Sequence, residues 1–407
     1  MSPRVSRARM LVLMAALLAG CADAALPVIE LTPATSPAGE ESGQPFLAAM
    51  PDGRVLLSWL EQQQDGAHAL RFAAGDGAVW SEPKLLAVSS RFFVNWADFP
   101  SITVLPDGRL AVHWLERSGP GTYAYDVRIS MSSDGGRTWA APITPHRDGT
   151  RTEHGFATLF PDGAELGAVW LDGRNMGGGD LHGDGGDMTL RFARIGATGE
   201  ISAEAELDAR TCECCQTDVA VTEQGPVIVF RDRSPSEIRD IAIVRRPVDG
   251  WSAPVPVHGD GWRIDGCPVN GPAIAAQGNR VVVAWFTAAD ETPRVNVAFS
   301  RDAGATFGSP VRVDEGNPGG RVDLVLRPDG VALVSWLERV EGRARVQVRA
   351  IRDGSEPGPV AVVDTVSAER RSGFPRMAFA GDVLVFAWTD PGRPSRVRVA
   401  TAHLRTP

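Results

Sequence analysis

Apolar and polar positions alternate along this chain in short runs, and seven of the runs share one layout. Each ends on an aromatic residue, usually flagged upstream by a tight turn and closed by an acid. They read PDGRVLLSWLE (51–61), PDGRLAVHWLE (106–116), PDGAELGAVWLD (161–172), EQGPVIVFRD (223–232), AQGNRVVVAWFT (276–287), PDGVALVSWLE (328–338) and AGDVLVFAWTD (380–390). The aromatic landmarks are Trp59, Trp114, Trp170, Phe230, Trp285, Trp336 and Trp388, spaced 51 to 60 residues apart. Short runs of this kind predict strands, and a repeat of about 50 residues fits one four-stranded blade of a β-propeller. The Asp-Gly pairs supply the positive-φ residues that tight hairpins require.

Units begin near Gln44, Phe99, Gly155, Thr217, Gly271, Val322 and Phe374. In the second unit, strands are predicted over 101–105, 109–114, 126–132 and 141–144. The last unit holds only three strands, the third at 397–403, while 28–31 forms an unpaired strand ahead of the first unit. Pairing these two closes the ring and removes both exposed sheet edges. The expectation is an all-β chain with a single seven-bladed propeller over 22–407, its outermost strand supplied by the amino terminus. Six blades is the rival count.

Composition narrows the picture further. Gly 44 and Pro 30 leave little room for long helices, and a net charge of −9 argues against a nucleic-acid partner. The first 21 residues read as a targeting segment. Arg4, Arg7 and Arg9 form a basic start, and the apolar run 10–19 is too short to span a bilayer. Leu18-Ala19-Gly20-Cys21 resembles the bacterial lipobox, which implies cleavage before Cys21 and lipidation there. An ordinary signal peptide cut near Ala25 is the alternative. Ala22 after Cys21 implies the outer membrane, with the chain facing the periplasm; the expected partners are that membrane and a small polar ligand, a glycan or a protein. The chain is expected to be a monomer, and its compartment is oxidising.

Two turns between third and fourth strands carry a shared signature, Ser132-Ser133-Asp134-Gly135-Gly136-Arg137-Thr138-Trp139 and Ser300-Arg301-Asp302-Ala303-Gly304-Ala305-Thr306-Phe307. Both resemble the Asp-box, or bacterial neuraminidase repeat, of the sialidase superfamily. The resemblance implies a structural role for Ser132, Asp134, Gly136, Thr138, Trp139, Ser300, Asp302, Gly304, Thr306 and Phe307, on the face away from an active site. Sialidases use three arginines, a Tyr nucleophile helped by a Glu, and an Asp acid/base. The chain departs from that pattern: the Arg-Ile-Pro motif is missing, and its two tyrosines, Tyr123 and Tyr125, sit together on one third strand, away from the channel. Catalytic residues therefore stay unassigned, with binding preferred to exo-sialidase or other glycosidase activity, and an envelope scaffold as a third reading.

Unusual residues gather in one sector. In a blade, loops entering the first strand and leaving the second open on one face. Loop 211–216 (TCECCQ) and loop 267–270 (CPVN) enter the fourth and fifth blades; 172–187 and 231–239 leave second strands of the third and fourth. Apart from Cys21, the cysteines are Cys212, Cys214, Cys215 and Cys267. An even count in an oxidising compartment suggests two disulfides, although three lie within four residues. The alternatives are a soft metal site, copper(I) foremost, near which Met176, His182, Met188 and His258 could lie, thiol redox chemistry, or unpaired thiols. Zinc is disfavoured by the spacing. The acidic loop 172–187 could wrap calcium, without matching the twelve-residue calcium-loop pattern. Asp172, Asp180, His182, Asp184, Asp187, Asp232, Arg233 and Asn270 make up a candidate ligand face. The acids closing the second strands read either as ion pairs between blades or as a polar funnel over the channel.

Overall fold

The computed structural model describes residues 25–176, 186–248 and 250–405. Cys21 and its lipobox, with Asp180, His182 and Asp184, lie outside the described residues. The strands form seven antiparallel sheets arranged as the blades of a propeller. The first strands, which line the channel, are Ser42–Ala49, Ser101–Val104, His154–Asp162, Asp218–Thr222, Ala273–Gln277, Pro318–Leu326 and Arg376–Ala380. Helix among the described residues is limited to two single 3-10 turns, Ala289–Glu291 and Arg370–Ser372.

The aromatic repeat has a packing explanation. Buried apolar residues form seven clusters among the described residues, each lying between two neighbouring blades. Every landmark aromatic fills the layer its blade shares with the preceding one: Trp59 against blade 7, Trp170 against blade 2, Trp336 against blade 5. One large ring per blade thus contributes the bulk that keeps wedge-shaped sheets in contact. A ring so placed buries its indole N–H, which needs an acceptor. Positions i and i+2 of a strand share a face, so the closing acid is at hand. Trp170 donates to Asp172 Oδ2 at 2.7 Å, Trp336 to Glu338 Oε2 at 2.8 Å and Trp59 to Glu61 Oε2 at 3.3 Å. Arginine partners of these acids come from the same blade, as in Arg71–Glu61 and Arg398–Asp390. The bonds therefore run within blades rather than between them.

Between blades, side chains in or just ahead of the inner strands reach across to backbone. Asp98 Oδ1 accepts the Phe156 N–H at 2.9 Å, Asp218 Oδ2 that of Ile274 at 2.9 Å, Asp323 Oδ2 that of Met377 at 2.6 Å, and Asn270 Oδ1 that of Arg321 at 2.7 Å. Around the channel, then, polar side chains link neighbouring blades whose sheets share no ladder with each other.

Ring closure follows the expected route. Val28–Ala34 pairs antiparallel with Arg396–Arg405, from Val28 opposite Arg405 to Ala34 opposite Val399. The second blade is shorter than its pattern suggests. It has three strands, and 141–144 contributes one isolated bridge, Ile143 to Ile129. Pro142 and Pro145 flank that bridge and have no N–H to extend it.

The two Ser-x-Asp turns are locally self-sufficient. Asp134 Oδ1 accepts the N–H groups of Arg137 and Thr138, both at 2.9 Å, and Ser132 Oγ accepts that of Gly136 at 2.9 Å. Asp302 and Ser300 repeat the scheme with Thr306 and Gly304. Hydrogen bonds from Thr138 lead the causes that hold the Asp134 carboxyl well below its usual range. Gly136 sits at φ +74°, where an added Cβ would stand 2.4 Å from Phe72 of the neighbouring blade. Gly136→Ala is therefore expected to cost about 2–4 kcal/mol, from left-handed strain plus overpacking. Chemical denaturation checks it; a change under about 0.5 kcal/mol, the size of an ordinary surface substitution, would show the turn to be slack.

Candidate functional site

Loop 211–216 crosses the face onto which first strands open and second strands exit. Its start is pinned by backbone: Thr211 N–H donates to Met188 O at 2.8 Å and Cys212 N–H to Arg231 O at 3.0 Å. Three thiols then converge. Cys212 Sγ stands 3.5 Å from Cys215 Sγ and 3.8 Å from Cys214 Sγ, and all three sulfurs lie within 4.8 Å of one another. A disulfide brings its sulfurs to about 2.05 Å, so these thiols are unbonded, as is Cys267. Cys212 and Cys215 are buried, Cys214 is half-buried and Cys267 is exposed beside it.

The pocket's charge is set by buried arginines. Arg239 Nη1 donates to Cys212 Sγ at 3.2 Å and to Glu213 Oε2 at 2.8 Å, while its Nη2 holds Glu237 at 2.9 Å. Arg233 clasps Glu237 and also Glu213. Arg231 is fully buried and donates to the carbonyls of Asn270, Arg239 and Phe286 while covering the Trp262 ring. Burial pushes the Cys212 thiol up, but hydrogen bonds from Cys214 and Cys215 and the charges of Arg239 and Arg231 outweigh it, so Cys212 ionises far below an ordinary cysteine. Cys267 is lowered too, first by the Cys214 thiol. Cys214 and Cys215 are raised, the former by donating to its neighbours and the latter by burial. The sector thus holds two thiolate-prone sulfurs, each served by thiol donors.

The remaining candidates divide. Arg233 belongs to the pocket. Asp187 joins its rim, 3.4 Å from Arg210 and 3.8 Å from Arg233. Asn270 holds blades together through Arg231 and Arg321. Asp232 accepts the Arg233 N–H. Asp172 has both oxygens engaged, by Trp170 and a two-pronged Arg174, which leaves it poorly placed to serve a calcium ion. Met176 packs in the same layer as Cys214, with Met188 buried there. His258 is elsewhere, 3.8 Å from Asp260 beside Trp285.

The sequence pattern set Tyr125 away from the channel; the structure turns its hydroxyl inward, onto two partners that went unnoticed. Tyr125 is buried, with its hydroxyl 2.8 Å from Asp98 Oδ2 and 2.8 Å from Glu153 Oε1. Asp98 lines a central cavity of about 250 Å³, so Tyr125 reaches inward, whereas Tyr123 packs near Phe93. A hydroxyl carries one proton, so the second of these contacts needs a proton on a carboxyl. Burial, against the Phe156 and Tyr125 hydrogen bonds, raises Asp98 to about 7. Burial, helped by the charges of Asp98, Cys267 and Glu213, raises Glu153 to about 8. Glu153 thus connects this triad electrostatically to the cysteine pocket. Scarcity of tyrosine was the only sequence signal available.

No family model matches the chain, and no curated protein matches it. Among solved structures, it is similar to a protein of unknown function from Dyadobacter fermentans, with 16% identity over 93% of this chain and 98% of that one, at a TM-score of 0.50. A polysaccharide lyase, Uly1, is 10% identical over 88% and 89%, also at 0.50. A sialidase from Streptococcus pneumoniae is 8% identical over 93% and 92%, at 0.46. At these identities the likeness is one of fold alone, that of a seven-bladed propeller.

Proposed function

We propose that this chain is a cell-envelope lipoprotein, tethered at Cys21, whose propeller binds a soft metal ion, copper(I) foremost, at Cys212, Cys214 and Cys215. The observation that supports this is the spacing of the three sulfurs. An ion about 2.3 Å from each of three thiolates, the length usual for zinc–sulfur bonds, sets the sulfurs about 4 Å apart. The Cys212–Cys215 and Cys212–Cys214 separations of 3.5 and 3.8 Å fall close to that. Soft thiolate donors without an imidazole or carboxylate in their set favour copper(I) over harder ions. Three thiolates around a monovalent cation carry a net charge of about −2, which Arg231 and Arg239 are placed to offset. Cys267 stands at the exposed side as a fourth sulfur.

Anaerobically reduced protein, titrated with copper(I) against a chromogenic chelator, is expected to take up about one ion per chain. Cys214→Ser/Cys215→Ser should abolish uptake and leave the melting curve nearly unchanged, since the loop lies outside the blade ladders. Uptake should strengthen as pH rises, because the raised Cys214 and Cys215 thiols must lose their protons. No uptake by folded, reduced protein would overturn the proposal. A glycosidase reading draws on the Tyr125–Glu153 pair, but Tyr125 is only 1% exposed and its hydroxyl is occupied. Turnover of a fluorogenic sialoside, lost in Tyr125→Phe, would favour that reading instead.

A further inference from the structure

On the reverse of the strands that carry Tyr125 and Glu153 lies a second polar cluster, which the cysteine pocket does not use. Asp126 follows Tyr125 in sequence, and His154 follows Glu153. The imidazoles of His146 and His154 stack with centroids 3.7 Å apart and planes 4° from parallel. Asp126 Oδ1 stands at one end of the stack, 3.7 Å from His146 Nε2 and 3.5 Å from His154 Nδ1. Asp148 stands at the other, 3.1 Å from His146 Nδ1 and 3.4 Å from His154 Nε2. His154 is wholly buried. Both its nitrogens, His146 Nε2 and Asp126 Oδ1 are buried with no hydrogen-bond partner among the described residues.

Every ring nitrogen of the stack therefore faces a carboxylate. A neutral imidazole offers one N–H and one lone pair, so two neutral rings would turn two lone pairs onto carboxylate oxygens in a space closed to water. Such a set of donors invites a metal ion, but the ring geometry opposes one. Imidazole binds an ion through its in-plane lone pair, and parallel stacked rings aim those lone pairs side by side instead of at one point. Protons meet the requirement, since an imidazolium donates from both nitrogens.

We propose that His146 and His154 form a proton-held clamp between blades 2 and 3, closed by imidazolium charge near and below neutral pH and loosened as that charge is lost. The charged groups facing the stack come from each surrounding element. Asp126 comes from the third strand of blade 2, and Asp148 from the connection between blades. Asp172 is contributed by the second strand of blade 3, 3.8 Å from His154 Nε2, and Arg174 by the loop after it, 3.9 Å from Asp148. Three carboxylates against one guanidinium leave two negative charges to be met. Burial opposes charge on His154, but Asp126, 3.5 Å from its Nδ1, and the Asp172 and Asp148 charges outweigh it and raise its pKa. His146 is lowered by burial and by the charge on His154, so the first proton belongs to His154.

A histidine raised in the folded state contributes stability in full below its unfolded value of about 6.5, and loses it as pH climbs through the folded value. Asp98, Glu153, Asp208 and Asp218 are raised carboxyls and tilt global stability the same way, so the test must be local. Hydrogen–deuterium exchange of segment 145–154 in the whole protein, corrected for chemical exchange, should show about tenfold lower protection at pH 8.5 than at pH 6. His154→Gln should remove the step and stay at the low level, while His146→Gln should keep most of it. No step in the wild type, or an unchanged step in His154→Gln, would overturn the clamp. So would a stoichiometric metal ion that His154→Gln releases. Should His154→Gln not fold, ring-proton NMR of the wild type decides: no imidazole titrating above about 6.5, the unperturbed value, sinks the idea.

Discussion

Removal of residues 26–34 is expected to destabilise the propeller by at least about 5 kcal/mol, through the lost ladder hydrogen bonds and the re-exposed Ile and Leu side chains. The strand supplies seven register pairs to Arg396–Arg405. Leu26, Ile29 and Leu31 pack onto the layer between blades 6 and 7. Without them, the third strand of blade 7 becomes an open edge that invites pairing with other chains. Denaturant unfolding should show a lower midpoint, and light scattering should show aggregation on heating. A truncated chain that unfolds within about 1 kcal/mol of the parent, the worth of a single net hydrogen bond, would mean that ring closure rests on side-chain packing alone.

Arg231→Met should cost about 4 kcal/mol, because each buried carbonyl left without a donor forfeits about 1–3. The methionine keeps much of the volume, so the loss reports the hydrogen bonds to Asn270, Arg239 and Phe286, which tie blade 4 to blade 5. The same change removes one of the charges that lower the Cys212 thiol. Alkylation of Cys212 at neutral pH should therefore slow in the variant. A full-rate reaction would show that Arg239, 3.2 Å from the sulfur, suffices. Iodoacetamide kinetics followed by peptide mass mapping separates the two effects from one preparation.

The repeat was legible because it has a mechanical cause. Each blade needs one large ring at its boundary, so Trp59 through Trp388 recur at the blade period, and at Trp59, Trp170 and Trp336 the closing acid meets the indole N–H. Ring closure was legible for a different reason: two strands without partners, at opposite ends of the chain, had one common solution. The second blade was over-read, since the alternation at 141–144 outweighed the two prolines that interrupt it. Loop topology alone brought Cys212, Cys214 and Cys215 to one face, where their sulfurs do gather. It put Glu213 and Arg239 in the same sector, within loops 211–216 and 231–239, but gave no hint of the contact between them that fixes the charge there. Nor did it mark Asp98 and Glu153, which lie 27 and 28 positions from Tyr125 and follow no period. His146 and His154 escaped for the same reason: a contact made across a blade boundary leaves no spacing rule in the chain.

Both ends of the described chain leave the molecule on one side. Asp390, where a second strand reaches the cysteine face, pairs with Arg396, so the strand from Arg396 runs away from that face to Arg405, and Val28 lies opposite Arg405. A load applied at either end therefore pulls on the side opposite the thiols. Under the lipid tether proposed at Cys21, the ring would rest with its Ser-x-Asp turns toward the bilayer and hold its cysteine pocket out to whatever diffuses past. An affinity tag placed at either end would likewise immobilise the propeller with that pocket turned to solution.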